Sequence, residues 1–376
     1  MVTERGGDGM PGNKTAGSPG SHKTATIQDV ARHANVSPAT VSRVVNGATS
    51  VDRALAERVR LAIKELRYQP NRAARMLAGS RSAIVGLLVT DIQNPFFMEI
   101  VRGVEHEVQR NGYLLVLCNS AEDPRKERQY LEVLLAEPVA GAIIVPTQEH
   151  QPFLRLFAER RIPVVAVDRR VRDPVVDAVL IDNVSAARES VAHLIANGYR
   201  RIGLITGPSA STTGNERLIG YRQALSDAGL TVDPALERRG PYAEESGSRL
   251  ASELLDLDPP VDAIFACNNR LTVGVLGAMT ARTLRIPDDI GLVGFDELSW
   301  AAPVGVSITA VHQPAYELGT TAAARLMQRL QRPDVLTRQE IVLGHELCVR
   351  GSSRPRSRTE AELISLGSTA ARPRND

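Results

Sequence analysis

Between residues 83 and 296 the chain repeats one pattern, a short run of Val, Ile and Leu followed by a stretch with helical spacing. The runs are AIVGLLV (83–89), YLLVLC (113–118), GAIIVP (141–146), PVVAVD (163–168), AVLID (178–182), RIGLIT (201–206), AIFAC (263–267) and IGLVGFD (290–296). They are continuous rather than alternating, which is how strands buried on both faces read. The segments between them, such as Phe97–Arg110 and Ala186–Asn197 with Gly198 as its C-cap, predict helices. Strand–helix alternation implies parallel sheets with crossover helices on both faces. So many strands exceed one compact sheet, so two doubly wound α/β subdomains are expected.

Upstream of this body the charge changes sign. Residues 22–81 hold eleven Lys and Arg against four acids, a charge of +7, and residues 350–376 hold six Arg against three acids. The whole chain is only +2, so residues 82–349 carry −8. A basic head on an acidic body points to a polyanionic partner, although a solvated charged face reads the same way from charge alone.

Residues 26–47, TIQDVARHANVSPATVSRVVNG, specify two short helices. Ile27, Val30, Ala31 and Ala34 form one apolar face. Thr26 followed by Asp29 resembles a capping box. Asn35 tolerates the left-handed conformation that closes a turn, and Val36 plugs the gap between the helices. Ser37-Pro38 is a hydroxyl N-cap followed by proline at the first helical position. Val41, Val44 and Val45 face inward, leaving Ala39, Thr40, Ser42, Arg43 and Asn46 outward. Short side chains with one guanidinium and one amide can approach base edges, and Arg43 can pair with a guanine. A third helix begins near Asp52 and buries Leu55, Val59, Ala62, Ile63 and Leu66. A plain three-helix bundle is the alternative, weakened by the short turn and the +7 charge.

This head, followed by VDRALAERVRLAIKELRYQPNRAARMLAGS, resembles the LacI-type transcriptional regulators. VTDIQNPFF (89–97), PVVAVDR (163–169), IDNVSAA (181–187), GYRRIGLITGP (198–208), VGFDEL (293–298) and TAVHQPAYELG (309–319) extend the resemblance over about 26–350. It implies a small all-α helix-turn-helix head (24–69) and a hinge helix (70–81). An α/β periplasmic-binding-protein-like type I core follows at 82–350. Its N-subdomain spans about 82–182 and 313–335, and its C-subdomain about 183–312 and 336–350. Crossings are implied near Asn183, His312 and residue 335. Residues 1–23 and 351–376, rich in Gly, Ser and Pro or in charge, are expected to be disordered.

The resemblance further implies a homodimer on a near-palindromic operator in double-stranded DNA. Thr26, Ser37, Thr40, Ser42 and Asn46 match phosphate or base contacts, and Arg43 matches a base reader. Pro38 and Ala39 stand where such proteins choose operators. Asn71 and Arg72 match backbone contacts, and Leu77 matches an apolar wedge in the minor groove. In the core, a cleft between the subdomains would hold a small effector. Phe96 and Phe97 follow Asn94-Pro95 at a strand end, where α/β sheets bind ligands, and one of the two is expected to serve only the core. Asp296 stands at another strand end. Asp182, Thr213, Arg217 and Asn268 match ligand positions, and Asp168, Tyr242 and Trp300 can complete the wall. A carboxylate opposite a guanidinium suits hydroxyl groups. A sugar or sugar derivative is therefore favoured over a nucleobase or other metabolite. Related chains read Asn-Asp where this one has Asn268-Asn269, which removes an acid near the cleft.

Other functions find little support. His33, His193 and His312 have no GxSxG, P-loop or HExxH to place them, so no enzyme is expected. Cys118, Cys267 and Cys348 are scattered, and no metal, cofactor or disulfide framework is implied. Neither a secretory signal nor a membrane-spanning run is present, so a cytoplasmic protein is expected rather than a secreted solute receptor. If Arg43 reads a base, Arg43→Ala should cost roughly 1–3 kcal/mol and flatten discrimination at one operator base pair. Mobility-shift titrations with substituted operators measure both.

Overall fold

The computed structural model describes residues 25–45, 51–68, 82–172, 176–298, 307–332 and 337–355. These fall into two compact units, divided between Arg81 and Ser82.

The head is three helices, α1 (Ile27–His33), α2 (Pro38–Val45) and α3 (Arg53–Glu65). The expected capping box is present. Thr26 Oγ1 accepts from the Asp29 N–H at 3.3 Å, and the Thr26 N–H donates to Asp29 Oδ2 at 2.9 Å. Asn35 closes the turn with φ 51°. Ser37 Oγ accepts from the Thr40 N–H at 3.1 Å, and Asp52 caps α3 through the Ala54 N–H at 2.9 Å. Val30, Val41 and Val59 are fully buried at the centre. The Arg58 guanidinium reaches across to the carbonyls of Ala34 and Asn35, tying α3 to the turn.

The second unit contains two six-stranded sheets. One is built from β1 (Ile84–Val89), β2 (Leu114–Asn119), β3 (Gly141–Ile144), β4 (Val164–Val167), β5 (Asp177–Ile181) and β11 (Glu340–Leu343), in the order β11-β5-β4-β3-β1-β2. The other comprises β6 (Ile202–Thr206), β7 (Glu237–Arg239), β8 (Ala263–Ala266), β9 (Gly291–Phe295), β10 (Thr309–His312) and β12 (Glu346–Cys348), in the order β12-β10-β9-β8-β6-β7. All pairings are parallel except β10 with β12. The two orders correspond strand for strand, so the lobes repeat one topology.

Crossover helices cover the sheets. They are α4 (Pro95–Arg110), α5 (Pro124–Ala136), α6 (Leu154–Glu159), α7 (Asn183–Ala196), α8 (Thr212–Asp227), α9 (Glu244–Leu255), α10 (Asn269–Ala281) and α11 (Ala315–Gln331). Helix α11 returns to the first lobe and packs against α4 at backbone distance. A Cβ on Gly103 would lie 2.2 Å from the Tyr316 carbonyl, and one on Gly319 2.2 Å from that of Ile100. This contact fixes the helix whose first turn carries Phe96 and Phe97.

Three expectations are corrected. Strand β2 is not buried on both faces. It is a sheet edge, and Leu114 is 63% exposed, with Val116 and Leu117 also open to solvent. The third crossing falls after Leu343, not near residue 335, because β11 pairs with β5 in the first lobe. Asp177 enforces this. Its buried carboxylate accepts from Arg325 at 2.9 Å, from Arg329 at 2.7 Å and from the Gln339 N–H at 2.7 Å, which binds α11 and the approach to β11 to β5. Finally, the core runs past Arg350. Ser352 Oγ donates to the Leu292 carbonyl at 2.6 Å and accepts from the Thr309 N–H at 2.8 Å. Ser353, fully buried, bonds Thr309 and His193. The leader (1–23), the hinge helix at 70–81 and residues 356–376 of the expected tail lie outside the described residues.

Candidate functional site

The head presents one polar helix face. Pro38, Ala39 and Arg43 of α2 are exposed, Thr40 and Ser42 are half-buried beside them, and Thr26 is exposed at the start of α1. Ser37 and Thr40 share a hydroxyl bond of 2.9 Å, so Ser37 serves the helix start as well as the surface. Asn46, Asn71, Arg72 and Leu77 lie outside the described residues.

The second candidate site lies between the lobes of the core, where the carboxyl ends of both sheets meet. Asp168 follows β4 and Asp296 follows β9, equivalent positions in the repeated topology. Each is left-handed, with φ 68° and 66°. Each N–H continues the sheet, Asp168 to the Val179 carbonyl at 2.9 Å and Asp296 to that of Val311 at 3.0 Å. The turn directs both carboxylates into the cleft. Left-handed non-glycine residues cost on the order of 1–3 kcal/mol and cluster at functional sites.

Burial dominates the chemistry of these acids. It pushes the Asp168 carboxyl up to about 6, against the opposing pull of Arg169 and Arg217 and with further push from Asp296 and Glu122. Burial likewise raises Asp296, opposed by Arg217 and by its bond from Gln313 Nε2. Two guanidiniums complete the set. Arg217 is 3% exposed, donates to Asn183 Oδ1 at 2.9 Å and to the Cys267 carbonyl, and stacks 3.5 Å above the Phe295 ring. Arg169 is equally buried and forms a two-pronged pair with Glu122 at 2.7 and 2.9 Å. Burial works to raise Glu122, but Arg169 outweighs it and holds that carboxyl below its ordinary value. Arg169 Nε, 3.6 Å from Asp168, and Gln313 Oε1 have no hydrogen-bond partner within the protein.

Aromatic rings form the walls. Phe96 and Phe97 meet edge to face with centroids 5.2 Å apart. Both line the cleft and both belong to the core cluster, so the expected division of labour between them does not hold. From the other lobe, the Tyr242 hydroxyl bonds Ser211 and Thr213 at 3.1 and 3.2 Å. Its ring lies against Gly207, where a Cβ would come within 2.1 Å of it. The Arg169 guanidinium stands 5.4 Å from the centre of that ring. Asn268 caps α10 through the Leu271 N–H at 2.8 Å and reaches the same cleft.

Eight of the nine proposed ligand positions therefore converge: Phe96, Phe97, Asp168, Thr213, Arg217, Tyr242, Asn268 and Asp296. Asp182 does not. It is exposed and caps α7 through the Ser185 N–H at 2.9 Å. Trp300 lies outside the described residues. The sequence reading missed Asp91, Asn94, Glu122, Arg169 and Gln313, which also line the cleft. Arg169 follows Asp168 at a strand end and Asn94 precedes the phenylalanine pair, so both carried a signal. Glu122 carried none. In this arrangement the side chains close on a cavity of about 20 Å³, enough for roughly one water.

The mouth of the cleft is crossed by polar contacts between the lobes. Asn269 Nδ2 donates to Asn94 Oδ1 at 2.7 Å. Arg270 donates to Asp91 at 3.1 Å and to Gln93 at 3.2 Å. Among the described residues no helix is long and apolar enough to cross a membrane, and no cluster of His, Cys, Asp and Glu could hold a metal ion.

Comparison with known proteins agrees with this geometry. Residues 82–345 match the periplasmic binding proteins and sugar binding domain of the LacI family. Residues 26–71 match the bacterial regulatory proteins of the lacI family. The ribose operon repressor of Escherichia coli (strain K12) is 36% identical over 330 residues, covering 88% of this chain and 100% of that protein. Among solved structures, the transcriptional regulator CelR–cellobiose complex is 33% identical with a TM-score of 0.67, covering 87% of this chain and 99% of that one. The lac repressor dimer bound to operator and the anti-inducer ONPF is 28% identical with a TM-score of 0.75, covering 88% and 100%. The chain belongs to the LacI family and is a transcriptional regulator rather than an enzyme, with a helix-turn-helix DNA-binding head and a periplasmic-binding-protein-like ligand-binding core.

Proposed function

We propose that this regulator is a repressor that binds a near-palindromic operator as a homodimer and changes its operator affinity when ribose or a closely related sugar enters the cleft. The observation that carries the effector reading is the pairing of two strand-end carboxylates, one from each lobe, with Arg169 and Arg217. A hydroxyl both donates and accepts, so it satisfies a carboxylate and a neighbouring guanidinium together. Asp168 with Arg169 offers such a pair from one lobe, and Asp296 with Arg217 from the other. The unpartnered Arg169 Nε and Gln313 Oε1 add one donor and one acceptor. Phe96, Phe97 and Tyr242 supply apolar surface for the faces of a ring. A nucleobase offers fewer donors to two carboxylates. The ribose operon repressor is a relative over nearly the whole chain, which favours a pentose.

On the operator, Arg43 reads a base while Thr26, Ser37, Thr40 and Ser42 hold the backbone, with Pro38 and Ala39 against base edges. Asn46, Asn71, Arg72 and Leu77 complete that contact. The partner is a second copy, for which β2 is suited. Leu114, Val116 and Leu117 stand on an open sheet edge beside exposed Val133 of α5, and edges of this kind are otherwise an aggregation hazard. Such a regulator works in the cytoplasm, at the nucleoid when bound to DNA.

Fluorescence anisotropy with the cognate operator tests the effector. D-Ribose should shift operator affinity by about tenfold or more. Asp296→Ala should bind operator normally and lose that response. A pentose panel without effect, or a normal response from the variant, sinks the reading.

The raised Asp168 carboxyl has a thermodynamic consequence. The folded chain takes up a proton there as pH falls through about 6, where an unfolded aspartate near its ordinary 3.8 does not. Stability from this group is therefore present at low pH and lost as pH rises through 6. Asp168→Asn should be more stable than the parent at pH 7, by on the order of 3 kcal/mol. That advantage should shrink to nothing by about pH 3, below the unfolded aspartate's 3.8. Urea unfolding at both pH values measures the difference.

Leu114→Glu with Val133→Glu should leave the lobes folded and yield a monomer by sedimentation. Its operator affinity should fall by more than about tenfold, because one head then binds without its tethered partner.

A further inference from the structure

The cleft does not end at the effector residues. Beyond the Asn94–Asn269 bond lies a second cavity of about 240 Å³, lined from one lobe by Gln93 and Pro95 and from the other by Glu244, Val273, Glu297 and Leu298. Consecutive residues face the two spaces. Asn94 and Asn268 face the inner one, and Pro95 and Asn269 the outer one.

We infer that Asn269 and Arg270 form a partition that sets the size limit of the effector, admitting a single sugar ring and excluding one that carries a bulky substituent. This rests on the sugar reading above. The partition is held by hydrogen bonds on both of its residues, with Arg270 Nε buried and unpartnered. Asn94 Oδ1 accepts from the Phe96 N–H at 3.0 Å as well as from Asn269 at 2.7 Å. The far end of the Asn269 amide accepts from the Arg270 N–H at 2.8 Å. Arg270 is held by Asp91 and Gln93, with Glu244 at 3.5 Å. An amide is required at 269. A carboxylate there has no proton for an Asn94 oxygen already committed to a helix cap, and would repel it. The departure from Asn-Asp noted in the sequence thereby acquires a role, since the second residue works on its neighbour across the cleft.

The space beyond the partition has the character of a subsite. Glu244 offers a polar group, and Val273, Leu298 and Pro95 offer apolar surface. Without the partition, a substituent on the inner ring would have somewhere to go.

Calorimetric titration of the full chain tests this with D-ribose, the methyl and benzyl ribofuranosides, and cellobiose. The parent should prefer ribose to the benzyl riboside by about a hundredfold or more, and should not bind cellobiose. In Asn269→Ala/Arg270→Ala that ratio should fall by at least about tenfold, whatever the absolute affinities, provided the melting temperature shows a folded protein. Should the double variant not fold, Asn269→Asp alone decides, because it breaks the bond at constant volume and should lower the same ratio. An unchanged ratio in a folded variant overturns the inference. So does a parent that binds benzyl riboside as tightly as ribose. A parent that binds no sugar overturns the effector reading itself, and the first titration separates that failure from the others.

Discussion

Two carboxylates buried at the ends of parallel strands set the terms for the rest of the core. Asp168 and Asp296 cannot be removed from water cheaply, and each also holds a left-handed backbone. An isolated buried charge is costly unless it is paired or neutralised. The protein answers with Arg217 between the two acids and with Arg169 beside Asp168. Arg169 in turn needs Glu122, so compensation spreads outward until it reaches half-buried groups. The cleft is thus a partly satisfied polar network, which on the proposed reading a ligand with hydroxyls would complete. Affinity and specificity share one source, because a molecule lacking a hydroxyl leaves a buried group unpaired.

The repeated topology explains why two such acids exist. In both lobes the strand before the turn pairs with a neighbour whose carbonyl accepts the aspartate N–H, Val179 in one and Val311 in the other. The backbone therefore delivers the same vector twice, from opposite sides. What differs is the helix reaching in beside each acid. α4 brings Asn94 and the two phenylalanines, whereas α8 brings Thr213 and Arg217. One lobe supplies more apolar wall and the other more hydrogen bonding.

Much of this is legible in the residues, for identifiable reasons. Strands buried on both faces leave continuous apolar runs, and Thr26, Asn35, Ser37 and Asp52 act within three residues of themselves, so local sequence suffices. The errors fall where a decision is made at a distance. β2 has the composition of a central strand and stands at an edge, because nothing within Leu114–Asn119 encodes the missing neighbour. The third crossing depends on Asp177, more than 140 residues from the arginines that fix it. Asp182 follows an apolar run just as Asp296 does, but its helix begins at once, and the side chain is consumed as a cap. Glu122 could not be found from its neighbours, since its role is defined by Arg169.

The same distances govern how the site can signal. A cavity of about 20 Å³ does not hold a sugar, so a ligand enters only if the lobes part and then close on it. The contacts opposing that motion are on both sides of the site. Asn269 and Arg270 cross the mouth, and Arg170 bridges Glu216 in one lobe and Glu340 in the other. These bonds hold the lobes in the present arrangement. A ligand therefore shifts the balance only by what it adds beyond them, its differential affinity for the closed state. Strong clasping reduces the conformational cost of binding and also reduces how far binding can move the equilibrium. On the proposed reading, the amide at 269 adds one more contact that any effector's differential affinity must be weighed against.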